Sequence, residues 1–443
     1  MALRLNRRNF FVGIAAAGHM LGQDRQLPLV NADRLRRDIE GLSAFGRPSG
    51  GNFSDGVSRV AYSDADRAGR AFFMDRMKAA GLAPRVDPAG NIFGRRTKFS
   101  APNAEHEAPI LFGSHIDSVP SGGNFDGDLG SFSALEVIRT LDERGIRTRR
   151  PLEMVVWANE EGVAFNSGLA GSRACAGRLA SDEMDRVWNG MKKPDAIRRI
   201  GGVPERISEA RRPADSFHAY LELHIEQGGT LERDRIPVGV VEGIVAIDEY
   251  IVDVRGFSNH AGTTPMPGRH DALIAASQLT LAVNEIVTHP AGPQVGTVGQ
   301  MNVTPNAPNV VPGAVRMTVE LRDLSQKKLD QLGAAIRARA AAIATQTGTE
   351  IDMKLVERLA PAIASPKVQS VIEESAAKLK LPSKRLPSGA GHDAQSMAFL
   401  GPMGMIFIPS IGGISHSPKE LSRWEDCARG ANVLLHSVLA LSA

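Results

Sequence analysis

Hydrophobic positions along the chain follow helical and strand spacings in alternation from Asn31 onward. Residues 31–45 place apolar side chains on one helical face behind a capping Asn31, and residues 64–82 repeat an amphipathic pattern. Three apolar runs then end in acidic or histidine residues: APILFGSHID (108–117), PLEMVVWANEEG (151–162) and FHAYLELHIEQG (217–228). Strands alternating with helices predict an α/β fold with a mixed or parallel sheet, which binds its ligands at the carboxyl ends of strands.

The pattern changes near Val240. Residues 239–262 and 295–323 alternate with a period of two and are rich in β-branched side chains, which predicts antiparallel strands. Two helical patterns, 270–287 and 325–346, accompany them. We therefore predict a catalytic domain formed by residues 29–242 and 359–443, interrupted by a smaller α+β domain at 243–358.

The N-terminal segment has the layout of a bacterial export signal. Arg7 and Arg8 precede a short run of apolar and small residues from Phe10 to Ala17. The arginine pair resembles a twin-arginine signal, so residues 1–28 are predicted to direct the protein to the periplasm. The alternative is a basic amphipathic first helix in a cytoplasmic protein.

Composition excludes several classes of function. The chain has 443 residues, of which 42% are hydrophobic and 23% charged, as in ordinary globular proteins. Aromatic residues make up 5% and the formal net charge is +3, so no nucleic-acid partner is expected. No apolar run is long enough for a membrane span. The two cysteines cannot form a thiolate metal cluster.

Ligand-type side chains gather at the predicted strand ends and near the C-terminus. They are His115, Asp117 and Asp126 in a glycine-rich loop, Glu160 with Glu161, His224 with Glu226, His392 with Asp393, and His416. Imidazoles and carboxylates without thiolates suit Zn²⁺ or another first-row divalent ion. Two such ions about 3.5–4 Å apart need a bridging carboxylate and can activate a carbonyl for hydrolysis. Asp128, in the same loop, reads as a solvated residue without a role.

Several segments, in order and spacing, resemble one enzyme family. They are GSHIDSVPSGGNFDGDLG (113–130), ANEEG (158–162), ELHIEQG (222–228), FSNHAGTTPM (257–266), PNAPNVVPG (305–313) and GISHSPKE (413–420). They resemble the dinuclear zinc amidohydrolases of the N-carbamoyl-L-amino-acid hydrolase, β-ureidopropionase and allantoate amidohydrolase group. That group is related to dizinc aminoacylases and carboxypeptidases, and the resemblance extends from about residue 30 onward.

The resemblance implies two divalent ions per subunit, Zn²⁺ or alternatively Mn²⁺, Co²⁺ or Ni²⁺. One ion would be held by His115, Asp126 and His224, and the other by Asp126, Glu161 and His416, with Asp126 as the bridge. Asp117 would orient the His115 ring from behind. Glu160 would be the general base, and this requires the strand to end or kink before Gly162, because neighbours on an extended strand point to opposite sides.

The resemblance also implies substrate-binding residues: Gln227, His260, Asn309, Arg322 and Gly391. Arg322 would hold a substrate carboxylate in a bidentate pair, while His260 and Asn309 would stabilise an oxyanion. Residues 243–358 would serve as a lid and dimerisation domain, so we expect a homodimer in which His260 enters the partner's active site.

The sequence therefore predicts a metal-dependent amidohydrolase that cleaves linear C–N bonds of N-carbamoyl-L-amino acids or related ureido acids and releases ammonia and carbon dioxide. Allantoate is the alternative substrate. An aminoacylase or dipeptidase is disfavoured, because those relatives carry an acidic residue where this chain has His224. A catalytically silent metal-binding sensor would have no need of Glu160. The substrate side chain and the native metal stay open.

Overall fold

A computed structural model describes residues 27–100 and 104–443 of the chain. Residues 1–26 of the predicted export signal lie outside this part. From Pro28 onward the chain is fixed to the C-terminal helix region, since the His436 ring lies 3.0 Å from the Pro28 carbonyl oxygen. The backbone N–H of Val30 donates to the Asn432 side chain at 2.8 Å.

The helices cover both faces of a large sheet and one face of a small sheet. They are α1 (Ala32–Leu42), α2 (Asp64–Ala79), α3 (Asp128–Glu143), α4 (Ala170–Cys175), α5 (Lys193–Arg199), α6 (Thr230–Asp234), α7 (Ala272–Thr288), α8 (Gln326–Thr347), α9 (Pro366–Lys378), α10 (Asp393–Met397) and α11 (Trp424–Leu441). The predicted capping by Asn31 is confirmed, because its side chain accepts the N–H of Arg34. Within the described residues, none of these helices is long and apolar enough to cross a membrane.

The large sheet is mixed. Its strands are β1 (Arg85–Val86), β2 (Ile92–Arg96), β3 (Ile110–His115), β4 (Leu152–Trp157), β7 (Ala219–Ile225), β8 (Val238–Ile244), β16 (Ala362–Ile363), β17 (Ser383–Ser388) and β18 (Met403–Ile408), while β5 (Val187–Trp188) and β6 (Met191–Lys192) form a separate hairpin. The order is β1-β2-β4-β3-β7-β18-β8-β16, with β17 also paired to β8. Strands β4, β3, β7 and β18 run parallel, which confirms the predicted α/β fold.

Every residue of these four central strands is buried. Alternate side chains point to opposite faces of the sheet. Phe112 therefore packs into a core with α1, α2, α3, α9 and α11, while Leu111 packs into a second core with α4 and α10. The three layers explain why these strands read as continuous apolar runs rather than as alternating ones.

The small sheet is antiparallel and has its own core. Its strands are β9 (Ala246–Arg255), β11 (Val295–Thr297), β12 (Met301–Thr304), β14 (Ala314–Asp323) and β15 (Glu350–Leu359), and β10 (Asn259–His260) pairs with β13 (Val310–Val311) beside it. Tyr250, Val252 and Val254 alternate along β9 and pack against α7 and α8. We call residues 246–359 the inserted unit.

The chain changes sheet at two short connections. Ile244 is the last residue of β8 in the large sheet, and Ala246 begins β9 in the small one. The chain returns between Leu359 and Ala362. These changes lie within a few residues of the predicted boundaries at 242/243 and 358/359. The alternating pattern that begins near Val240 also covers β8, which belongs to the large sheet, so the pattern begins a few residues before the small sheet does.

Candidate active site

The carboxyl ends of the central strands bring the predicted ligands to one edge of the large sheet. His115 ends β3 and pairs with Trp157, the last residue of β4, so Glu160 and Glu161 follow close beside it. His224 lies near the end of β7 and pairs with Phe407 of β18. The loop after β18 carries His416. Parallel strands place these four connections at the same edge, as the sequence predicted.

His115, Asp126 and His224 form a first group of potential metal ligands. One donor atom from each lies within 4.8 Å of the other two. All three side chains are buried, and the imidazoles are only 1% exposed. A compact set of two imidazoles and a carboxylate is a common arrangement for a first-row divalent ion.

Asp126, Glu161 and His416 form a second group with the same spacing. Glu161 Oε2 lies 3.2 Å from His416 Nε2, and the Glu161 side chain is 6% exposed. His416 is half exposed and adopts a left-handed backbone with φ +53°. This group therefore faces the opening of the site, while the first group lies beneath it.

Asp126 belongs to both groups through different oxygens. Oδ1 lies 3.4 Å from His115 Nε2 and 3.0 Å from His224 Nε2. Oδ2 lies 3.5 Å from His416 Nε2. A carboxylate with one oxygen in each group has the geometry of a bridging ligand between two neighbouring cations.

Hydrogen bonds fix which ring nitrogen of each buried histidine faces the site. His115 Nδ1 lies 3.0 Å from the Asp117 carbonyl oxygen, and His224 Nδ1 lies 2.9 Å from the Ile225 carbonyl oxygen. A carbonyl only accepts, so each Nδ1 carries a proton, and each Nε2 of a neutral ring presents its lone pair to the site. The N–H of Gly127 donates to His224 Nε2 at 3.2 Å, which agrees with this tautomer.

The electrostatics of the site favour cations. Burial alone would raise the pKa of Asp126, but the surrounding imidazoles of His224, His115 and His416 hold it well below its usual value. Hydrogen bonds that the His416 ring donates to Asp126 and Glu161 raise the pKa of His416 to about 11. The donor set thus fits a metal centre, because the site concentrates negative charge around free imidazole lone pairs.

Glu160 belongs to neither ligand group but lies beside the first. Its Oε2 is 3.7 Å from His115 Nε2, and its side chain is 9% exposed. Burial raises the pKa of Glu160 well above its usual value, and the carboxylates of Asp393, Glu161 and Asp126 add to this rise. Strand β4 ends at Trp157, three residues earlier. Glu160 and Glu161 are therefore on a turn rather than a strand, which meets the condition for both to serve one site.

The glycine-rich loop permits a close approach that other residues would block. Gly127 has φ +65°, and a Cβ built on it would lie 2.4 Å from the His115 ring. The residue after the shared carboxylate must therefore be glycine if the His115 ring is to stay where it is.

Asp117 acts differently from the prediction. The His115 ring is oriented by the Asp117 main-chain carbonyl, whereas the carboxylate Oδ1 lies 3.9 Å from His115 Nδ1. The carboxylate instead accepts the backbone N–H groups of Glu160 at 3.1 Å and Glu161 at 3.2 Å. Asp117 thus joins the loop after β3 to the turn after β4.

The interpretation of Asp128 as a solvated residue was wrong. Asp128 is 1% exposed and pairs with Arg59, which is equally buried. Arg59 Nε also donates to the Ile116 carbonyl at 2.6 Å, between His115 and Asp117. The guanidinium therefore fixes both ends of the loop that carries the ligands. Sequence spacing gave no sign of Arg59, because 69 positions separate the partners.

Glu420 is a second residue that the sequence analysis missed. Its Oε1 accepts the backbone N–H groups of Phe125 at 2.9 Å and Asp126 at 3.1 Å, and its Oε2 accepts the Ser415 hydroxyl at 2.8 Å. Glu420 thereby joins the loop of the shared carboxylate to the loop of His416. The sequence signal that could have identified Glu420 is its position as the acidic last residue of the GISHSPKE segment.

His392 packs beneath the ligands. Its ring centroid lies 4.5 Å from that of His224, and its Nε2 lies 2.9 Å from the Ser388 hydroxyl. Burial lowers its pKa well below the usual value, so the ring is neutral. It belongs to neither potential ligand group among the described residues.

Two of the predicted substrate residues make hydrogen bonds that hold their side chains in place. Gln227 donates its side-chain amide to Asp126 Oδ2 at 2.7 Å. Arg322, at the end of β14, donates Nη1 to the Gly389 carbonyl at 2.6 Å, two residues before Gly391. Its Nε donates to Glu320 at 2.7 Å. The inserted unit and the loop of Gly391 are therefore in contact through Arg322.

His260 and Asn309 lie together but apart from the ligands. Pairing of β10 with β13 brings them side by side, and the Ala261 N–H donates to the Asn309 carbonyl at 2.9 Å. Both residues are exposed, and in the described part of the chain no hydrogen bond or ion pair joins them to the two ligand groups. His260 Nδ1 accepts the N–H groups of Gly262 and Thr263, so a neutral ring carries its proton on Nε2 as a free donor.

Comparison with known proteins agrees with this geometry. The family model for peptidase family M20/M25/M40 matches residues 111–440. An N-carbamoyl-L-amino acid amidohydrolase of Geobacillus stearothermophilus is 38% identical over 94% of this chain and 99% of its own length. An allantoate amidohydrolase of Escherichia coli is 35% identical over 90% of this chain and 95% of its own.

A solved structure extends the similarity to the whole fold. The hydantoinase/carbamoylase family amidase of Burkholderia multivorans superimposes with a TM-score of 0.86 at 38% identity, covering 94% of this chain and 98% of that one. The similarity therefore extends over nearly the full length of both chains. The chain belongs to peptidase family M20/M25/M40, in the group that contains the N-carbamoyl-L-amino-acid amidohydrolases.

Proposed function

We propose that the protein is a metal-dependent amidohydrolase of N-carbamoyl-L-amino acids. One observation carries the proposal. The two carboxylate oxygens of Asp126 face two different ligand groups, and the buried Glu160 beside them belongs to neither group. We assign Asp126 as the residue that would bridge two divalent ions, and Zn²⁺ is the first candidate for both. His115 and His224 complete one site, and Glu161 and His416 complete the other.

The chemistry divides between the ions and the chain. Bound divalent ions would polarise the substrate carbonyl and make water more acidic. Glu160 takes a proton from the attacking water and returns it to the departing nitrogen. The C–N bond between the carbamoyl carbon and the amino-acid nitrogen breaks. The amino acid leaves, and the carbamate fragment decomposes to ammonia and carbon dioxide.

Arg322 supports a substrate that carries a carboxylate. Its guanidinium is held in place by Glu320 and by the Gly389 carbonyl, and the rest of its donor edge stays available. Planar guanidinium groups bind carboxylates through two parallel hydrogen bonds. Allantoate, the substrate named for the Escherichia coli relative, also carries a carboxylate and is the second candidate.

Release of ammonia distinguishes these substrates. The purified protein is stripped of metal, reloaded with Zn²⁺, Mn²⁺, Co²⁺ or Ni²⁺, and tested on N-carbamoyl-L-amino acids, allantoate and dipeptides. We expect metal-dependent ammonia release from the carbamoyl amino acids and no cleavage of the dipeptides. Stripped protein and the Glu160→Gln variant are the controls. Ammonia from allantoate alone would move the assignment to that substrate, and no turnover with any metal would overturn the proposal.

We also propose a homodimer that shares His260 between subunits. The His260 side chain is exposed and among the described residues is hydrogen-bonded only within its own loop, and the Nε2–H of the neutral ring suits an oxyanion. A symmetric pair would present each His260 to the site of the other subunit. The closing of one inserted unit would then serve catalysis in its partner.

Mixed dimers test the sharing. Glu160→Gln and His260→Ala homodimers are each expected to be nearly inactive, because each lacks one group at every site. In a mixed dimer with a shared arrangement, one site carries both defects and the other is intact. Random exchange of equal amounts should therefore restore about a quarter of wild-type activity.

Subunit exchange is verified with differently tagged chains. If His260 serves its own subunit, every site keeps a defect, and no activity returns despite exchange. A protein that stays monomeric in solution at assay concentration would reject the sharing directly.

A further inference from the structure

The turn that carries Glu160 and Glu161 opens a loop with an unusual backbone. Left-handed φ angles recur from residue 159 to residue 169. The non-glycine positions are Asn159 (φ 53°), Phe165 (φ 64°), Asn166 (φ 48°) and Leu169 (φ 55°). Such angles are uncommon outside glycine and persist only where surrounding contacts hold the backbone. The loop therefore needs support beyond its own sequence.

Contacts inside the loop tie the glutamates to its second half. The Leu169 N–H donates to the Glu160 carbonyl at 2.8 Å, and the Asn159 side chain donates to the Ser167 carbonyl at 2.8 Å. Gly162 has φ +72°, and a Cβ there would lie 2.6 Å from the Gly168 nitrogen. The two halves touch, so a displacement of Ser167 moves the turn that carries Glu160.

A buried ion pair holds the side chain of Ser167 in place through hydrogen bonds. Lys193, at the start of α5, pairs with Glu183, and each side chain is 1% exposed. Lys193 Nζ donates to the Ser167 hydroxyl at 2.8 Å, and that hydroxyl in turn donates to Glu183. Arg173 joins them, donating to Glu183 at 2.8 Å and to the Gly168 carbonyl at 3.1 Å.

A structural role alone does not require this choice of residues. Removing charges from water is costly, and apolar side chains of similar volume stabilise a core at least as well. A buried pair is best suited to fixing one arrangement against others. Among the described residues, the side chains of Lys193 and Glu183 make polar contacts with each other, with Ser167 and with two arginines. These are Arg173, whose Nη1 donates to the Gly168 carbonyl, and Arg186, whose Nη1 donates to the Asn166 carbonyl, so both arginines also contact the loop.

We infer that Glu183 and Lys193 form a positioning pair, which holds Ser167 and thereby fixes Glu160 and Glu161 relative to the other ligands. The inference rests on the proposed roles of those two glutamates. It predicts that loosening the pair leaves the fold and the first ligand group intact but misplaces the proton-transfer group and weakens the second ligand group. Misplacement of a reacting group by about 1 Å costs up to roughly 100-fold in rate.

The test uses Ser167→Ala and Lys193→Met in the metal-loaded full chain. Ser167→Ala removes one hydroxyl and leaves the ion pair in place, so it keeps the test valid if Lys193→Met does not fold. Arg96→Met is the matched control, because it breaks a part-buried pair with Asp142 in the same domain. Arg96 pairs with Leu152, the first residue of β4, whereas the loop follows the last residue of that strand. The measurements are kcat, KM, melting temperature and the rate of metal release to a chelator.

We expect kcat to fall roughly 10- to 100-fold with KM within about two-fold, and one of the two ions to leave faster than in the wild type. Arg96→Met should lower the melting temperature without these changes. Wild-type kcat and release rates in Ser167→Ala would overturn the inference, as would losses equal to those of Arg96→Met. Metal release is measured without substrate, so it still tests the pair if the protein hydrolyses none of the proposed substrates.

Discussion

Replacing Glu160 with Gln is expected to lower kcat at least ~100-fold while the metal content stays at the wild-type value. Glutamine keeps the size of the side chain but cannot take a proton at neutral pH. Glu160 belongs to neither ligand group, although it lies 3.7 Å from His115. Its removal therefore affects proton transfer rather than metal binding. Steady-state kinetics and elemental analysis of the same preparation measure both quantities.

Asp126→Ala provides the opposite result and the control. One oxygen of Asp126 faces each ligand group, so alanine should lose both ions and all activity. Glu161→Gln should weaken only the group shared with His416. The assignment of roles is contradicted if Glu160→Gln loses its metal while Asp126→Ala retains it.

The Arg322→Lys variant is expected to lose about 100-fold in kcat/KM for N-carbamoyl amino acids. Arg322 donates one hydrogen bond to Glu320 and one to the Gly389 carbonyl, and the remaining N–H groups of its planar guanidinium can still bind a carboxylate. A lysine ammonium is a point charge that Glu320 would draw away. Carbamoyl amines, which lack the carboxylate, should change only a few-fold, so the ratio of the two kcat/KM values measures the clamp.

Arg316→Lys is the matched control for the clamp. Arg316 lies on the same strand β14 and pairs with Asp253, but it is 65% exposed, and within the part of the chain that the structure describes no hydrogen bond or ion pair joins its side chain to a predicted substrate residue. This variant should leave both substrate types unaffected. Equal losses for carbamoyl amino acids and carbamoyl amines in Arg322→Lys would reject the carboxylate role.

The sequence predicted most of the fold and the gathering of the candidate ligands at one sheet edge, because both depend on local patterns, whereas their division into two groups came from the resemblance to a family. Wholly apolar runs ending in His115 and His224 mark buried parallel strands, and parallel strands bring their ends together. The change to period-two alternation marked the inserted unit. Gly162 permits the strand to end or kink at the two glutamates, and β4 ends at Trp157.

The supporting contacts could not be predicted in the same way. Arg59 and Asp128, or Glu420 and the N–H of Asp126, are joined only after distant segments have folded. Asp117 is an acidic residue two positions after His115, so its sequence position predicts a contact between its carboxylate and the imidazole. The backbone instead directs the Asp117 carbonyl to the ring and the carboxylate to the turn after β4. Such choices depend on angles that spacing does not encode.

The place of β18 in the large sheet has a consequence for biosynthesis. Strand β18 lies between β7 and β8, although roughly 180 residues separate it from β7 along the chain. A ribosome needs about 10 to 40 seconds to add them, and during that time one edge of β7 has no neighbour. The inserted unit, with its own core, can fold meanwhile. His416 follows β18, so a nascent chain acquires the full set of proposed metal ligands only after β18 has been synthesised, and until then the open edge of β7 is a site that chaperones are expected to shield.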